Sequence, residues 1–262
     1  MITSSSNSKI KQVIQWQTKA KERRSAGIFL TEGFKMYEEA PVESVQEVYV
    51  AESALEKCKA DSKLMDKLAR TGYEVVADSL FAKMSDTQTP QGILCVIRRP
   101  EWTVEQLFAA EKPLLVVLEN LQDPGNLGTI IRTGEGAGIT GVIMTAGTVD
   151  IYNPKVIRAT MGSVFRVPCV YVPDLQAVLR QMRKKGIRTY AAHLEGKEYY
   201  DSFSFEEGTA FLIGNEGNGL ERETADAADS YLKIPMEGRV ESLNAAIATS
   251  LLMYEAHRQR SR

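Results

Sequence analysis

LLVVLENLQDPGNLGTIIRTGEGAG, residues 114–138, decides how this chain is read. Its first seven residues, LLVVLEN, open with an unbroken apolar run of five, the composition of a strand buried on both faces. A polar turn holding Asp123, Pro124 and Gly125 follows. The spacing then predicts a helix that begins near Asn126 and stops at Gly136 or Gly138, where glycine ends helices cheaply. A doubly buried strand feeding a helix through a short polar turn opens a parallel α/β sheet.

The same rhythm continues towards the C-terminus. Strands are predicted at 142–145, 167–172, 189–192, 210–213 and 231–234, with helices at 154–161, 175–185 and 220–227 between them. A last helix is expected from Ser242, a natural N-cap, to about His257. Leu243, Ala246, Ile247, Leu251, Met253 and Tyr254 give it one core face. Towards the N-terminus, Pro100 and Pro113 bracket a polar connector at 101–112. Before it, residues 1–100 alternate short strands and helices, including a helix over 55–71, and form a small α/β domain. The expected fold is therefore α/β in two domains, 1–100 and 113–262. The first 30 residues form an amphipathic helix, with Ile10, Val13, Ile14 and Trp16 inward. Lys9, Lys11, Lys19, Lys21, Arg23 and Arg24 form its cationic outer face.

Composition removes several classes of function. A net charge of −2 means that a nucleic-acid surface has to be sought in patches. Cys58, Cys95 and Cys169 are odd in number and scattered, forming neither a disulfide framework nor a zinc pattern, which fits a reducing compartment. His193 and His257 offer no metal-ligand pair, and His193 reads as structural, so no metal is expected. No apolar run reaches the roughly 18 residues of a membrane span. The polar start MITSSSNSK lacks a signal-peptide core, so a cytoplasmic protein is expected.

In a parallel sheet, ligands gather at the C-terminal ends of the strands. Three loops leave such ends with the same chemistry: 120–132, GNEGNGL at 214–220, and IPMEGRVESLNAAIA at 234–248. Each is rich in Gly or Asn with a few charges. Gly214, Gly217 and Gly219 allow backbone to approach a ligand closely. GEGAGITG at 134–141 is no dinucleotide fingerprint, because its spacing is wrong and it leads from helix to strand. No P-loop is present.

NLGTIIR (126–132), IGNEGNGL (213–220) and IPMEGRVESLNAA (234–246) resemble, in order, the three motifs of the SpoU-type 2′-O-ribose RNA methyltransferases of the SPOUT superfamily. The N-terminal segment resembles the substrate-binding domain of ribosomal-RNA members. The resemblance implies a C-terminal trefoil knot, a homodimer with cofactor sites at the subunit interface, and S-adenosyl-L-methionine as methyl donor. It implies that Gly214, Asn215, Gly219, Ile234, Met236 and Leu243 hold the cofactor. Asn126, Arg132, Glu216, Ser242 and Asn244 would form the catalytic polar site. RNA, ribosomal in preference to transfer RNA, would meet Lys9, Lys11, Lys19, Arg23, Arg24 and Arg158, with Arg98, Arg99, Lys155 and Arg166 nearby in kind.

Methyl transfer to a hydroxyl needs alignment and removal of a proton. The motifs hold no His, Lys or Cys to act as a base. A guanidinium is a poor base, so Arg132 is better suited to holding a phosphate and steadying the forming alkoxide. The proton acceptor is left open among Arg132, a phosphate oxygen and water. Asn126 is either a helix cap or a ribose ligand, and Glu216 either faces the sulfonium or braces its loop. Two other classes compete: a non-catalytic RNA-binding assembly factor and a nicotinamide dehydrogenase, the latter without its fingerprint. A covalent cysteine mechanism is disfavoured because the cysteines lie outside the three loops.

Overall fold

The computed structural model describes residues 1–240 and 242–261. The N-terminal elements are α1 (Ser8–Thr18), α2 (Ala20–Ala26), β1 (Ile28–Glu32), α3 (Phe34–Glu39), β2 (Val45–Ala51), α4 (Leu55–Ala60), α5 (Ser62–Thr71), β3 (Glu74–Val76), α6 (Asp78–Met84) and β4 (Ile93–Arg98). There follow α7 (Val104–Leu107), β5 (Leu114–Leu118), α8 (Pro124–Ala137), β6 (Gly141–Thr145), α9 (Pro154–Thr160), β7 (Cys169–Val172) and α10 (Leu175–Lys184). The chain closes with β8 (Arg188–Ala192), β9 (Glu198–Tyr199), β10 (Thr209–Ile213), α11 (Arg222–Ala227), β11 (Ser230–Lys233) and α12 (Ala245–Arg260).

Two compact units result. One comprises residues 1–101 together with 152–165; the other comprises 102–151 and the chain from Arg166 onwards. In the first, four strands run in the order β1-β4-β2-β3. β4 pairs antiparallel with β1 and β2, while β2 and β3 are parallel. The segment carrying α9 belongs here because Tyr152 stacks on Phe29 at 4.7 Å and lies under the Arg99 guanidinium at 4.3 Å. Arg158 also pairs with Asp86 at 2.9 Å.

The second unit is built on a seven-stranded sheet, among the described residues, in the order β7-β6-β5-β10-β8-β11-β9. Every pairing in it is parallel. β5 and β10 lie at its centre and are buried along their whole length, as the apolar composition of LLVVL and TAFLI requires. The chain steps outward through β5, β6 and β7, then continues on the other side of β5 with β8, and β10 fills the gap between β8 and β5. That reversal of direction opens a crevice at the C-terminal ends of the central strands.

Several expectations are corrected. The first helix is two helices, broken at Lys19 and ended by Gly27 in the left-handed region at φ 65°. Arg23 is not on an outer face. It is 5% exposed and donates to the carbonyls of Trp16 and Gln17, closing the last turn of α1. The helix expected over 55–71 is also split: Asp61 breaks it and caps α5 by accepting from Leu64 N at 3.1 Å. The stretch read as a connector contributes Leu107 and Phe108 to the core of the second unit. The two-residue strand β9, at the sheet edge, was not foreseen.

Candidate functional site

Loops leaving β8, β10 and β11, with the entrance to α12, enclose a cavity of about 310 Å³ in the second unit. Its walls include the six positions expected to hold a cofactor: Gly214, Asn215, Gly219, Ile234, Met236 and Leu243. Glu216 and Ser242 also line it. Glu241, inside the third motif, lies outside the described residues.

The loop after β10 is a closed hairpin. Asn215 N donates to Gly219 O at 3.0 Å, and Gly219 N returns the bond to Asn215 O at 2.9 Å. The Asn215 side chain accepts from the amides of Gly217 and Asn218, rounding the tip. Gly219 supplies a φ of 70°. A Cβ on Gly214 would overlap the backbone of Gly219 and Leu220, so closure of this hairpin requires glycine there.

Glu216 joins this hairpin to the loop after β5. Its carboxylate accepts from Gln122 N at 3.0 Å, Asp123 N at 2.9 Å and the Asn126 amide at 3.0 Å. Partial burial pushes its pKa up, and those three donors together with its own backbone amide more than reverse this, leaving it below the usual carboxylate value. Asn126 in turn accepts from Asn244 Nδ2 at 2.8 Å. One carboxylate and two amides therefore tie the three motifs together at the edge of the cavity.

The capping assignments change. Asp123, not Asn126, caps α8, accepting from Asn126 N at 2.7 Å, with Pro124 in the first turn. Asn244, not Ser242, caps α12, accepting from Ala246 N and Ile247 N, so the helix begins two residues later than expected and extends to Arg260. Freed from capping, the Asn126 side chain belongs wholly to the polar cluster. Ser242 lines the cavity instead.

Arg132 does not line the cavity within one copy of the chain. It is exposed on α8. Six residues at about 100° each carry it some 120° around the helix from Asn126, so the two cannot share a face. It lies instead on an exposed stripe with Gly125, Thr129 and Gly136. Of the expected RNA contacts, Lys11, Lys19 and Arg24 are exposed in the first unit. Lys9 is paired with Glu74 at 2.8 Å, Arg158 with Asp86, and Arg23 is interior.

The loop after β8 was missed. Ala192, His193 and Leu194 line the cavity, and His193 packs at a tilt against Tyr231 with centroids 4.8 Å apart while accepting from Glu195 N at Nδ1. Its position at a strand end was the signal, since the rule that drew attention to the other loops applies equally to this one.

Comparison with known proteins gives the same picture. The model of the SpoU rRNA Methylase family matches residues 113–254, and that of the MRM3-like substrate binding domain matches residues 7–95. The 23S rRNA (guanosine(2553)-2′-O)-methyltransferase RlmP of Bacillus subtilis is 34% identical over 257 residues, covering 97% of each chain. An AdoMet-bound rRNA methyltransferase from Sinorhizobium meliloti superposes with a TM-score of 0.86 at 29% identity, covering 98% of this chain and 97% of its own. The SpoU methyltransferase AviRb from Streptomyces viridochromogenes, in complex with AdoMet, gives a TM-score of 0.85 at 29% identity, with 97% and 98% covered. With the three motifs joined by the Glu216–Asn126–Asn244 hydrogen bonds and the family model matching residues 113–254, this chain belongs to the SpoU rRNA Methylase family.

Proposed function

We propose that this protein transfers a methyl group from S-adenosyl-L-methionine to a ribose 2′-hydroxyl of 23S ribosomal RNA, as RlmP does by its name, and that it works as a homodimer. The observation that carries the reading is the cavity at the C-terminal ends of β8, β10 and β11, beside the Glu216–Asn126–Asn244 cluster. Its size lies at the lower end of the roughly 300–1,000 Å³ usual for small-molecule sites. Glycine backbone, Leu194, Ile234, Met236 and Leu243 make up walls that suit an apolar, planar group, while the Glu216 carboxylate suits a nearby positive charge. S-adenosylmethionine, when bound, supplies an electrophilic methyl on a cationic sulfur.

The chain's own residues do the rest. Gly214, Asn215, Gly219, Ile234, Met236 and Leu243 hold the cofactor, largely through backbone. Asn126, Glu216, Ser242 and Asn244 form the polar edge that orients the sugar. Arg132 steadies the forming alkoxide and an RNA phosphate by charge and hydrogen bonds, and the proton passes to a phosphate oxygen or water. Lys11, Lys19 and Arg24 supply phosphate contacts. Lys9 and Arg158 join them by exchanging their carboxylate partners for phosphate.

The homodimer is favoured by an apolar stripe on α12. Ile247, Leu251 and Tyr254, spaced on one helix face, are 51%, 39% and 48% exposed. The opposite face already packs against α8, so the helix is apolar on two sides, which calls for a second partner. Arg132 lies on the exposed side of α8, and a second copy covering this surface would carry it to the partner's cavity. The trefoil knot and a cytoplasmic location belong to the same reading. No helix of the described residues is long and apolar enough to cross a membrane.

The test is tritium transfer from labelled S-adenosylmethionine to ribosomal RNA from cells lacking this protein, followed by mapping of ribose methylation. One 2′-O-methyl in 23S RNA is expected. Tight cofactor binding with no transfer to any RNA would favour a non-catalytic assembly factor.

A further inference from the structure

We propose that Glu119 is a positioning residue for cofactor binding, acting through the hairpin at 214–220. The inference rests on the methyltransferase reading above. Glu119 follows β5 directly, is 4% exposed, and continues the central ladder by donating its N–H to Ile213 O at 2.9 Å. Its carboxylate has two partners. Oε2 accepts from Glu221 N at 2.8 Å, and Oε1 accepts from the hydroxyl of Thr224, itself buried. Among the described residues, no lysine or arginine forms an ion pair with it.

Such a group is costly to keep. Burying a carboxylate without a cation is unfavourable, and an apolar side chain would serve packing alone. What the carboxylate does here is cap another element. The first turn of α11 has unsatisfied amides, and its own N-cap residue, Glu221, makes no side-chain cap. Glu119 supplies one missing acceptor, to the amide of Glu221, and holds the first turn of α11 by a second bond from the Thr224 hydroxyl.

That cap fixes the exit of the hairpin. The entry is held by β10, and the tip by the three bonds to Glu216, but Gly219 and Leu220 run straight into Glu221. Both residues line the cavity, and both face Gly214, where no room remains for a Cβ. If Glu221 swings, the cavity wall swings with it.

Asn120 completes the clamp. Its φ of 56° turns the chain sharply after Glu119, a conformation asparagine tolerates better than most residues. Its Nδ2 donates to Glu221 Oε1 at 3.0 Å, and its carbonyl accepts from Asn215 Nδ2 at 2.9 Å. Adjacent residues thus grip the hairpin at its start and just beyond its end. Because Glu216 has separate tethers, loss of Glu119 is felt in cofactor affinity before it is felt in the chemical step.

The experiment measures S-adenosylmethionine binding by calorimetry, KM and kcat for methyl transfer, and the melting temperature, in wild type, Glu119→Ala, Glu119→Gln and Thr224→Val. For Glu119→Ala we expect Kd and KM for the cofactor to rise about tenfold, equivalent to about 1.4 kcal/mol, with kcat at saturation within about threefold. Glu119→Gln should recover most of the affinity, since its carbonyl accepts from Glu221 N while its NH2 donates to Thr224, whose hydroxyl can rotate to accept. Thr224→Val should shift KM in the same direction by less, and it carries the test if Glu119→Ala does not fold. A merely structural role lowers the melting temperature and the active fraction while KM stays put, and that result in the folded variants overturns the proposal. Wild-type protein that binds no S-adenosylmethionine would sink the methyltransferase reading and this inference with it.

Discussion

Glu216 bridges two loops, and its protonation state decides whether the bridge holds. Its folded pKa is depressed, so the unfolded chain binds the proton more readily, and stability rises with pH across the interval between the two values. The contribution is complete above the ordinary value of 4.5 and is lost as pH falls through the lower folded value. Urea midpoints of wild type and Glu216→Gln should therefore differ at neutral pH and converge in acid. A gap that persists unchanged below the folded pKa would mean that the charge is not what the three donors recognise. That Asn126, Glu216 and Asn244 lie in polar loops at strand ends was legible in the sequence. Their partners were not, because hydrogen bonds between residues about 90 to 118 positions apart have no trace in spacing. From sequence Glu216 either faces the ligand or braces its loop; it has three donors from the loop after β5 and also lines the cavity.

Elements were legible where periodicity and punctuation agreed. LLVVL and TAFLI declared two buried central strands, and Gly138 ended α8 in the left-handed region as a glycine following a helical run should. The breaks at Lys19 and Asp61 were hidden because neither is a Gly or Pro. Asp61 interrupts a helix only because its side chain can cap the next one. The same competition among Asx and Ser residues moved two helix starts, from Asn126 to Asp123 and from Ser242 to Asn244. At this scale the closed hairpin after β10 is the feature most sensitive to a single methyl group. In Gly214→Ala, the added carbon meets backbone and no flexible side chain could move aside, so the hairpin must open. We expect a destabilisation of about 1–3 kcal/mol by denaturant unfolding, together with cofactor affinity reduced by more than tenfold. Retention of wild-type affinity would show that the hairpin closure is not needed to bind the ligand.

For the whole molecule, the first unit is discontinuous, since 152–165 belongs to it together with residues 1–101. A chain starting at 101 leaves Tyr152 without the Phe29 ring, so the crossover between β6 and β7 is better left with its partners. The more consequential question is how many copies build one site. Helical geometry keeps Arg132 away from the face of α8 that carries Asn126, yet Gly136 on the same exposed stripe reaches the apolar row of α12, since a Cβ there would lie 3.1 Å from Tyr254 Oη. A partner covering Ile247, Leu251 and Tyr254 would then also cover Arg132. If each site takes its arginine from the other copy, Arg132→Ala homodimers bind S-adenosylmethionine with near wild-type affinity and transfer no methyl, while Gly214→Ala homodimers fail because the cofactor is not held. Dissociated and reassociated as a mixture, the two inactive variants form heterodimers in which one site carries both defects and the other carries neither. With random pairing, half the dimers are mixed and each has one intact site, so activity should return to about a quarter of wild type. Leu251→Glu, which places a charge in the apolar row, should yield monomers by sedimentation and prevent the recovery. Arg132→Ala and Gly214→Ala mixtures that exchange subunits but stay inactive would place the arginine and the cofactor in the same chain.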